Sequence, residues 1–587
     1  MAIESFSESL LPDPAAAPRP PGRRLTPRPV EGAAFGADWW QRGVIYQVYP
    51  RSFADSTGDG VGDLRGVIDR LDYLNDGTPG SLGIDAIWLS PIYPSPGLDV
   101  GYDVSDHAAI DPLFGTLDDF DRLIDEAHRR GIRVVLDLVM NHTSSAHPWF
   151  LESRASRSGP KADWYIWRDP PPTWSRPRAR RRPNNWVSYF GGPAWTWDES
   201  RRQFYLHTFL PEQPDLNWRN PDVRAAMLDM VRGWLDRGVD GFRLDVFNAF
   251  FKHSELLSNP RRVIGRRAYD RQRHHYDKDQ PELHDFLAEF RALVDELEGR
   301  MTVGELFATE PHRAGEYAAP GHLVFDFHLI SQPWRADAFA RATAEREAIF
   351  GPAGWPTVVL SNHDQSRHAS RFGAELRGDA VARAAAVLLL TLRGTPFLYY
   401  GEEIGLRDVP IPRAEIVDPP ARRGGPIARR LSPWWNRDQA RAPMPWTDAP
   451  FGGFSPVRPW LRMASDAATR NVARQAADPR SVLSAYRRLI WLRRDHPALQ
   501  VGDYRRLAGT SGDVLAWLRV TPDETVLVAV NFGRGAGWAG AGGHPAPGTW
   551  EPLFGTHDGL GPVADGARIE LRPLEAVVFV GRPAAAD

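Results

Sequence analysis

The sequence predicts an α/β chain: a (β/α)8 TIM barrel with a subdomain inserted after the third strand and a C-terminal antiparallel β-sandwich domain. Three observations carry this. Eight short β-branched or apolar runs alternate with longer helix-patterned segments, the pattern of a barrel closed by parallel strands. Two long stretches break that rhythm, each starting just after a strand. Beyond about Gly502 the pattern changes to alternating strands punctuated by Gly and Pro.

The eight runs are 44–49, 86–90, 133–139, 241–246, 302–307, 323–327, 357–362 and 395–400. An open doubly wound sheet reads alike strand by strand, and the count favours the barrel. Between the runs lie amphipathic segments with recognisable starts. Thr116 and Asp119 form a capping-box pattern at the head of 116–130, and Asn220-Pro221 supplies an N-cap and first helical residue for 221–237. The apolar segment 380–392 is too short to span a bilayer and is expected as a buried helix. The first interruption, about 143–213, is dense in Trp, Pro, Gly and Arg and long enough to be a subdomain. The second, 405–478, leaves the eighth strand. The expected organisation is a disordered extension over 1–38, the barrel over 39–142 and 214–500, the inserted subdomain over 143–213 and the β domain over 501–587.

Composition excludes several classes of function. The 587 residues include no cysteine, so there is no disulfide framework, thiolate metal site or cysteine nucleophile, and the cytoplasm is the default compartment. With 71 basic and 74 acidic side chains the formal charge is -3, against the basic face of a nucleic-acid binder. The N-terminal stretch, rich in Pro, Ala and Arg, lacks the apolar core of a signal peptide, and no membrane partner is expected. The 22 tryptophans hint at flat or ring-shaped ligands. Nothing here specifies an oligomeric state.

Charged residues end the apolar runs at particular places. The third ends in Asp137 and, beyond it, Asn141-His142; the fourth in Arg243-Leu244-Asp245; the fifth in Gly304-Glu305; the seventh in Asn362-His363-Asp364. Three carboxylates, Asp245, Glu305 and Asp364, thereby converge on the C-terminal rim, where such barrels place their active sites. Arg243 and Asp245 share one face of a period-two strand, so the arginine is expected to hold that carboxylate ionised. Neighbouring strands lie about 4.8 Å apart, which lets Asp245 and Glu305 approach the roughly 5–5.5 Å of double displacement at a sugar. That pattern points to a retaining glycosidase. Asp137 reads as a loop anchor, Glu402 and Glu403 as structural acceptors, His274-His275 as a solvated surface pair and the basic insert 176–182 as a solvated loop.

Seven segments, GDGVGDLRG, DLVMNH, QPDLNW, GFRLDV, VGELF, SNHD and GTPFLYYGEE, occur in an order that resembles the α-amylase superfamily of glycoside hydrolases, and within it the oligo-1,6-glucosidase and α-glucosidase group. The resemblance covers nearly everything from Trp39 onward. It implies Asp245 as nucleophile, Glu305 as general acid/base and Asp364 as the carboxylate stabilising the transition state. It implies a closed glucose pocket in which Asp99 grips the sugar, Tyr102 stacks beneath it and Arg441 pairs with Asp99. His142 and His363 match histidines that hydrogen-bond the sugar; Phe190, Phe209 and Gln213 match residues shaping the pocket. A closed end implies exo action on small oligosaccharides or disaccharides, with no organic cofactor.

Val246, after the nucleophile, resembles the α-1,6-preferring enzymes, whereas Tyr400 departs from the glutamine of GTPFLYQGEE. An RLDRD-like segment of sucrose-isomerising relatives is absent, so hydrolysis is favoured over isomerisation, with transglucosylation open through the covalent intermediate. A maltose, trehalose or sucrose mutase of the same fold and a non-catalytic sugar-binding scaffold are the alternatives, the scaffold disfavoured by the complete triad. Asp55, Thr57, Asp59, the Val61 carbonyl and Asp63 stand at alternate positions as hard oxygen ligands, with Gly66 where an EF-hand has its glutamate. Relatives bind a structural Ca2+ there, which the resemblance implies here.

Overall fold

The computed structural model describes residues 38–170, 182–265, 267–307, 312–318, 323–423, 436–541 and 548–582. All but Asp38 of the expected extension over 1–38 and nearly all of the basic insert over 176–182 lie outside the described residues.

Eight parallel strands form one sheet: Ile45–Val48, Ala86–Leu89, Arg133–Leu138, Gly241–Leu244, Met301–Glu305, Leu323–Phe325, Thr357–Val359 and Thr395–Tyr399. Their spatial order is seventh, eighth, then first to sixth, so the sheet curls into a (β/α)8 barrel whose seam falls between the sixth and seventh strands. The hydroxyl of Thr357 bridges that seam, accepting from the Asp326 amide at 3.1 Å and donating to the Val324 carbonyl at 3.2 Å. The strands run one to three residues shorter than the sequence runs, because the chain turns off the sheet around the polar residues that end each run.

Alternation along each strand sorts the side chains into two layers. Ile45, Trp88, Val135, Val303, Phe325 and Phe397 point inward and fill the barrel. Tyr46, Ile87, Val134, Phe242, Val324 and Leu398 point outward and join the core shared with the surrounding helices. Helix Leu117–Arg129 has the full capping box, with Thr116 and Asp119 bonding each other's backbone. Helix Pro221–Asp236 starts from Asn220, whose side chain accepts from the Asp222 amide. Helix Asp379–Thr391 is apolar nearly all round because it is covered twice, by barrel strands and by the C-terminal sheet.

The insert after the third strand carries helix Pro148–Ala155 and a three-stranded antiparallel sheet in which Gln203–Leu206 lies between Trp167–Arg168 and Trp195–Asp198. Ile166, Trp186, Trp195, Phe204 and Leu206 give it a core of its own. At the C-terminus a six-stranded antiparallel sheet faces the pair Gly537–Gly540 and Arg568–Leu571. In strand Val514–Val520, Val514, Ala516 and Leu518 point to that pair, while Leu515 and Trp517 join the barrel's core. The buried Arg519 ties the two bodies together, donating to the carbonyls of Thr391 at 2.7 Å and Gly502 at 3.0 Å. Among the described residues no helix is long and apolar enough to cross a membrane.

Candidate active site

The inward rows that are apolar at the N-terminal end of the barrel turn polar at the other end. Gln47 follows Ile45, Asp137 follows Val135, Arg243 and Asp245 follow Gly241, and Glu305 follows Val303. The register sets Asp137 beside Arg243 on the neighbouring strand, and Arg243 beside Val303 on the next. Arg243 is buried and works as a hub. Its Nη1 donates to Asp137 Oδ1 and to Asp245 Oδ1, both at 2.7 Å, and its Nη2 contacts the Glu305 carboxylate. Asp137 therefore corrects its expected part as a loop anchor. It is a leg of this hub and also accepts from Tyr102 Oη at 3.0 Å and Trp88 Nε1 at 3.3 Å.

The charge balance at Asp245 also differs from expectation. Burial pushes its carboxyl up to about 6, outweighing Arg243, and Asp137 and Asp364 push the same way. The pairing with Arg243 is visible in sequence, whereas the desolvation that exceeds it depends on the closed barrel around it. Directly after Asp245, Val246 adopts φ 40° and ψ 38°, a left-handed conformation uncommon for a β-branched residue. The turn is clamped because the Phe247 ring packs onto Gly304, where a Cβ would collide with it.

Asp364 shows the opposite balance. Burial disfavours its charge, yet in acid the His363 ring beside it, and at any pH Arg437 Nη1 at 3.2 Å and Arg441 Nη2 at 2.9 Å, hold it well below the usual carboxylate range. His363 adds no charge at neutral pH, since burial and nearby arginines push its pKa down to about 3. Its Nδ1 accepts from Gln47 Nε2 at 2.7 Å, which leaves Nε2–H for Tyr102 Oη at 2.6 Å, and Tyr102 Oη in turn donates to Asp137. The His363 and Tyr102 rings are parallel to within 1° at 5.4 Å. With both nitrogens engaged, His363 orients Tyr102 from beneath.

Asp99 accepts from Arg437 Nη2 at 2.7 Å and from Gln213 Nε2 at 3.1 Å. The arginine paired with Asp99 is thus Arg437, correcting the expected Arg441, which instead bonds Asp364 and the His363 carbonyl. The two arginines flank the 3-10 turn Arg437–Arg441. Both reach Asp364 Oδ1, and Arg437 reaches on to Asp99. Buried Asp418 fixes Arg437, accepting from its Nε at 2.7 Å and its amide at 3.0 Å. His142 is held by Asn141 at 3.2 Å and by the Tyr102 carbonyl at 3.1 Å, and burial lowers its pKa.

These groups surround a cavity of about 370 Å³. Of the expected residues, Asp99, Tyr102, His142, Phe190, Phe209, Asp245, Val246, Glu305 and Asp364 line it. Gln213, Arg243, His363 and Arg441 stand behind that lining, each bonded to a residue in it. The site therefore offers two adjacent carboxylates on one arginine, a third carboxylate held ionised, and an end sealed by an ion pair.

A family model described as "Alpha amylase, catalytic domain" matches residues 47–502. The chain belongs to the alpha-amylase family. It is 44% identical over 517 residues to a probable alpha-glucosidase of Rhizobium meliloti (strain 1021), covering 84% of this chain and 89% of that relative. An oligo-1,6-glucosidase of Parageobacillus thermoglucosidasius is 36% identical, with 92% and 98% covered. The solved structure of an alpha-glucosyl transfer enzyme, XgtA, superposes with a TM-score of 0.84 at 41% identity, over 93% of this chain and 99% of that one. This alpha-amylase family member is a glycoside hydrolase.

The hydrolase's cavity also contains residues that sequence reasoning missed: Tyr189, Arg267, Leu306, Phe307, Phe327, Gln365, Pro420 and Arg437. Arg437 sits in the same NRDQAR segment as Arg441, but nothing in the spacing selects between them. Leu306 and Phe307 directly follow Glu305, the one available signal for that wall. Among the described residues no tryptophan lines the cavity, so its aromatic surface is Phe and Tyr. Of the expected surface pair His275 is exposed, whereas His274 is part-buried, stacking on Tyr269 at 3.8 Å and bonding Asp277 at 2.7 Å. Glu402 accepts from Ser361 and the Tyr399 amide, and Glu403 from Tyr46 and Tyr73, as structural acceptors.

The loop after the first strand closes on its own amides. Asp55 accepts from Gly58 at 2.7 Å and Gly60 at 2.8 Å, Asp59 from Val61 at 2.8 Å, and Asp63 from Ser56 and Gly66 at 2.8 Å. Among the described residues no three acidic or imidazole groups are gathered as a metal cluster. Carboxylate oxygens that accept an N–H keep lone pairs for a cation.

Proposed function

We propose that this enzyme is a retaining, exo-acting α-glucosidase that releases one terminal glucose from disaccharides and short oligosaccharides. The observation that carries the reading is the single guanidinium of Arg243, buried behind the cavity wall, joined to both Asp245 and Glu305 at the ends of adjacent strands, with the ion pair of Asp99 and Arg437 closing the cavity. Two carboxylates that share one fork suit double displacement, in which one attacks the anomeric carbon and the other exchanges a proton with the oxygen that leaves or enters there.

In the first half-reaction the carboxyl proton of Glu305 passes to the departing oxygen while Asp245 Oδ attacks C1, giving a β-glucosyl-Asp245 ester. In the second, Glu305 takes a proton from water as the water oxygen attacks C1 and the ester bond breaks. Asp364, held ionised by Arg437 and Arg441, favours the positive charge that develops at the sugar. Asp245, with its carboxyl at about 6, is mostly ionised at neutral pH and able to attack. Asp99, Tyr102 and His142 are assigned to the terminal glucose, and Val246 to the leaving-group side, where valine favours α-1,6 or sucrose-type linkages.

Replacing Asp245 with Asn is expected to lower kcat for p-nitrophenyl α-glucoside by roughly four orders of magnitude. An Asn variant as fast as the parent removes the nucleophile assignment. A panel of maltose, isomaltose, sucrose, trehalose and starch reads the linkage and the exo action, and activity on starch alone overturns the sealed end.

A structural Ca2+ held by Asp55, Thr57, Asp59, the Val61 carbonyl and Asp63 is a separate part of the proposal, as is cytoplasmic location. Bound calcium stabilises the folded form by mass action. A rise in the unfolding temperature in millimolar calcium over the chelated protein, abolished by Asp59→Ala, supports it; identical curves refute it.

A further inference from the structure

The excursion over 405–478 contributes to two cavities. Pro420 and Arg437 line the one that holds the carboxylates. A second, of about 270 Å³, is walled by segments around Val417 and Trp460, and among the described residues it shares no lining residue with the first. Small-molecule pockets run from roughly 300 to 1,000 Å³, so this one suits a single ring with one substituent and not an oligosaccharide.

Its polar wall is cationic. Arg458 and Arg462 face one carboxylate, Glu415, and exceed it by one positive charge. Arg462 places two donors on Glu415, Nε at 2.6 Å and Nη2 at 2.7 Å, while Arg458 Nη2 lies 3.4 Å from the same carboxylate. The two arginine side chains are 47% and 73% exposed, within reach of a ligand from solvent. A guanidinium carries five donors in a fork that matches phosphate, and a phosphate has enough acceptor oxygens to serve both arginines. Trp460 supplies a flat apolar face beside them, its ring fixed by the bond from Nε1 to Ser52 Oγ at 3.0 Å. Glu415 keeps lone pairs to accept hydroxyls. A cation pair, an aromatic face and a hydroxyl acceptor together describe a phosphorylated monosaccharide.

Three links run from this cavity to the first. Val417 lines the second cavity, its amide donates to Asp438 Oδ2 at 2.8 Å, and the next residue, Asp418, holds Arg437, which in turn holds Asp99 and Asp364. Ser52 Oγ, which accepts from Trp460, donates to the Arg441 carbonyl at 2.6 Å. The rings of Trp460, Tyr49, His363 and Tyr102 follow one another at 6.3, 6.1 and 5.4 Å, each within 24° of parallel to the next.

We propose that the second cavity is an effector site for a monosaccharide phosphate, whose binding steadies Asp418, Arg437 and the ring under the sugar and so lowers KM for the glucoside. This goes beyond the reaction proposed above and needs only that the first cavity hydrolyses a glucoside, whatever its linkage. A ligand that favours the ordered arrangement of 414–418 shifts the site towards it, and by linkage an occupied first cavity tightens the effector by the same factor.

The test titrates the full chain calorimetrically with glucose 6-phosphate, glucose and inorganic phosphate at constant ionic strength. Glucose 6-phosphate is expected to bind about tenfold more tightly than inorganic phosphate, and the double variant Arg458→Ala, Arg462→Ala to weaken it by at least about tenfold, the worth of one bond to a charged group. Saturating glucose 6-phosphate is expected to lower KM for p-nitrophenyl α-glucoside by about fivefold with kcat unchanged. The double variant, altered only at exposed side chains, is expected to keep the basal KM and lose the response. An unchanged KM, a KM raised equally in parent and variant because the compound enters the first cavity, or inorganic phosphate acting as well as the sugar phosphate overturns the proposal. Absence of hydrolysis without any effector overturns the glucosidase reading instead, and the calorimetric comparison of parent and variant still decides the site.

Discussion

Asp245 must be charged to attack a sugar, yet the barrel that positions it makes charge expensive there. Burial raises its carboxyl to about 6 despite a direct bond to Arg243. A group with a raised pKa loses its charged form as pH falls through that value, well above the roughly 3.9 of a free aspartate. The acid limb of kcat/KM, which reports the free enzyme, is therefore expected near pH 6. A pH profile with its acid limb near pH 4 contradicts this balance. The residue scale is also where sequence reading was uneven. Asp245, Glu305 and Asp364 were legible because a charge that ends an apolar run on a barrel strand has one place to go. Arg437 was not, since two arginines four apart differ only in the local twist of the turn that holds them.

The turn Arg437–Arg441 shows how one element can serve several charges. Arg437 reaches Asp99, Asp364 and Asp418 at once. Removing one member of such a buried pair strands the other charge, at a cost of about 3–5 kcal/mol. Asp418→Ala is expected to lower stability in urea by that order and to raise KM for disaccharides, because Arg437 loses the carboxylate that aims it. Asp418→Asn keeps the acceptor oxygen and is expected to recover much of the KM. An unchanged KM in the Ala variant shows that Asp99 alone positions Arg437. Strands and long helices were readable from their periods of two and 3.6. The excursion over 405–478 has no period to read, so its contribution to the site comes from tertiary contacts alone.

At the scale of the whole molecule, the fold class followed from the count of eight runs, whereas the way the parts lean on one another did not. Trp517 and Leu515 join the barrel's core because both faces of the C-terminal sheet are covered, a fact that alternation of two apolar rows leaves ambiguous. The insert keeps Trp186 and Trp195 in its own core, gives Trp164 and Trp167 to the barrel's core, and lends the cavity Tyr189, Phe190 and Phe209.

Seven of the eight strand neighbours in the barrel are joined by backbone ladders, and the remaining junction is fastened by the hydroxyl of Thr357. A ring fastened this way has a preferred place to part, and local openings start where backbone bonding is thinnest. Native-state hydrogen exchange is expected to run faster over 323–327 and 357–359 than over 133–138, and faster still in Thr357→Val; uniform exchange around the ring argues against it. Phe327 and Asp364 flank that junction on the cavity side. Both belong to the pocket's lining, so any parting of the ring is felt first at the wall that carries Asp364.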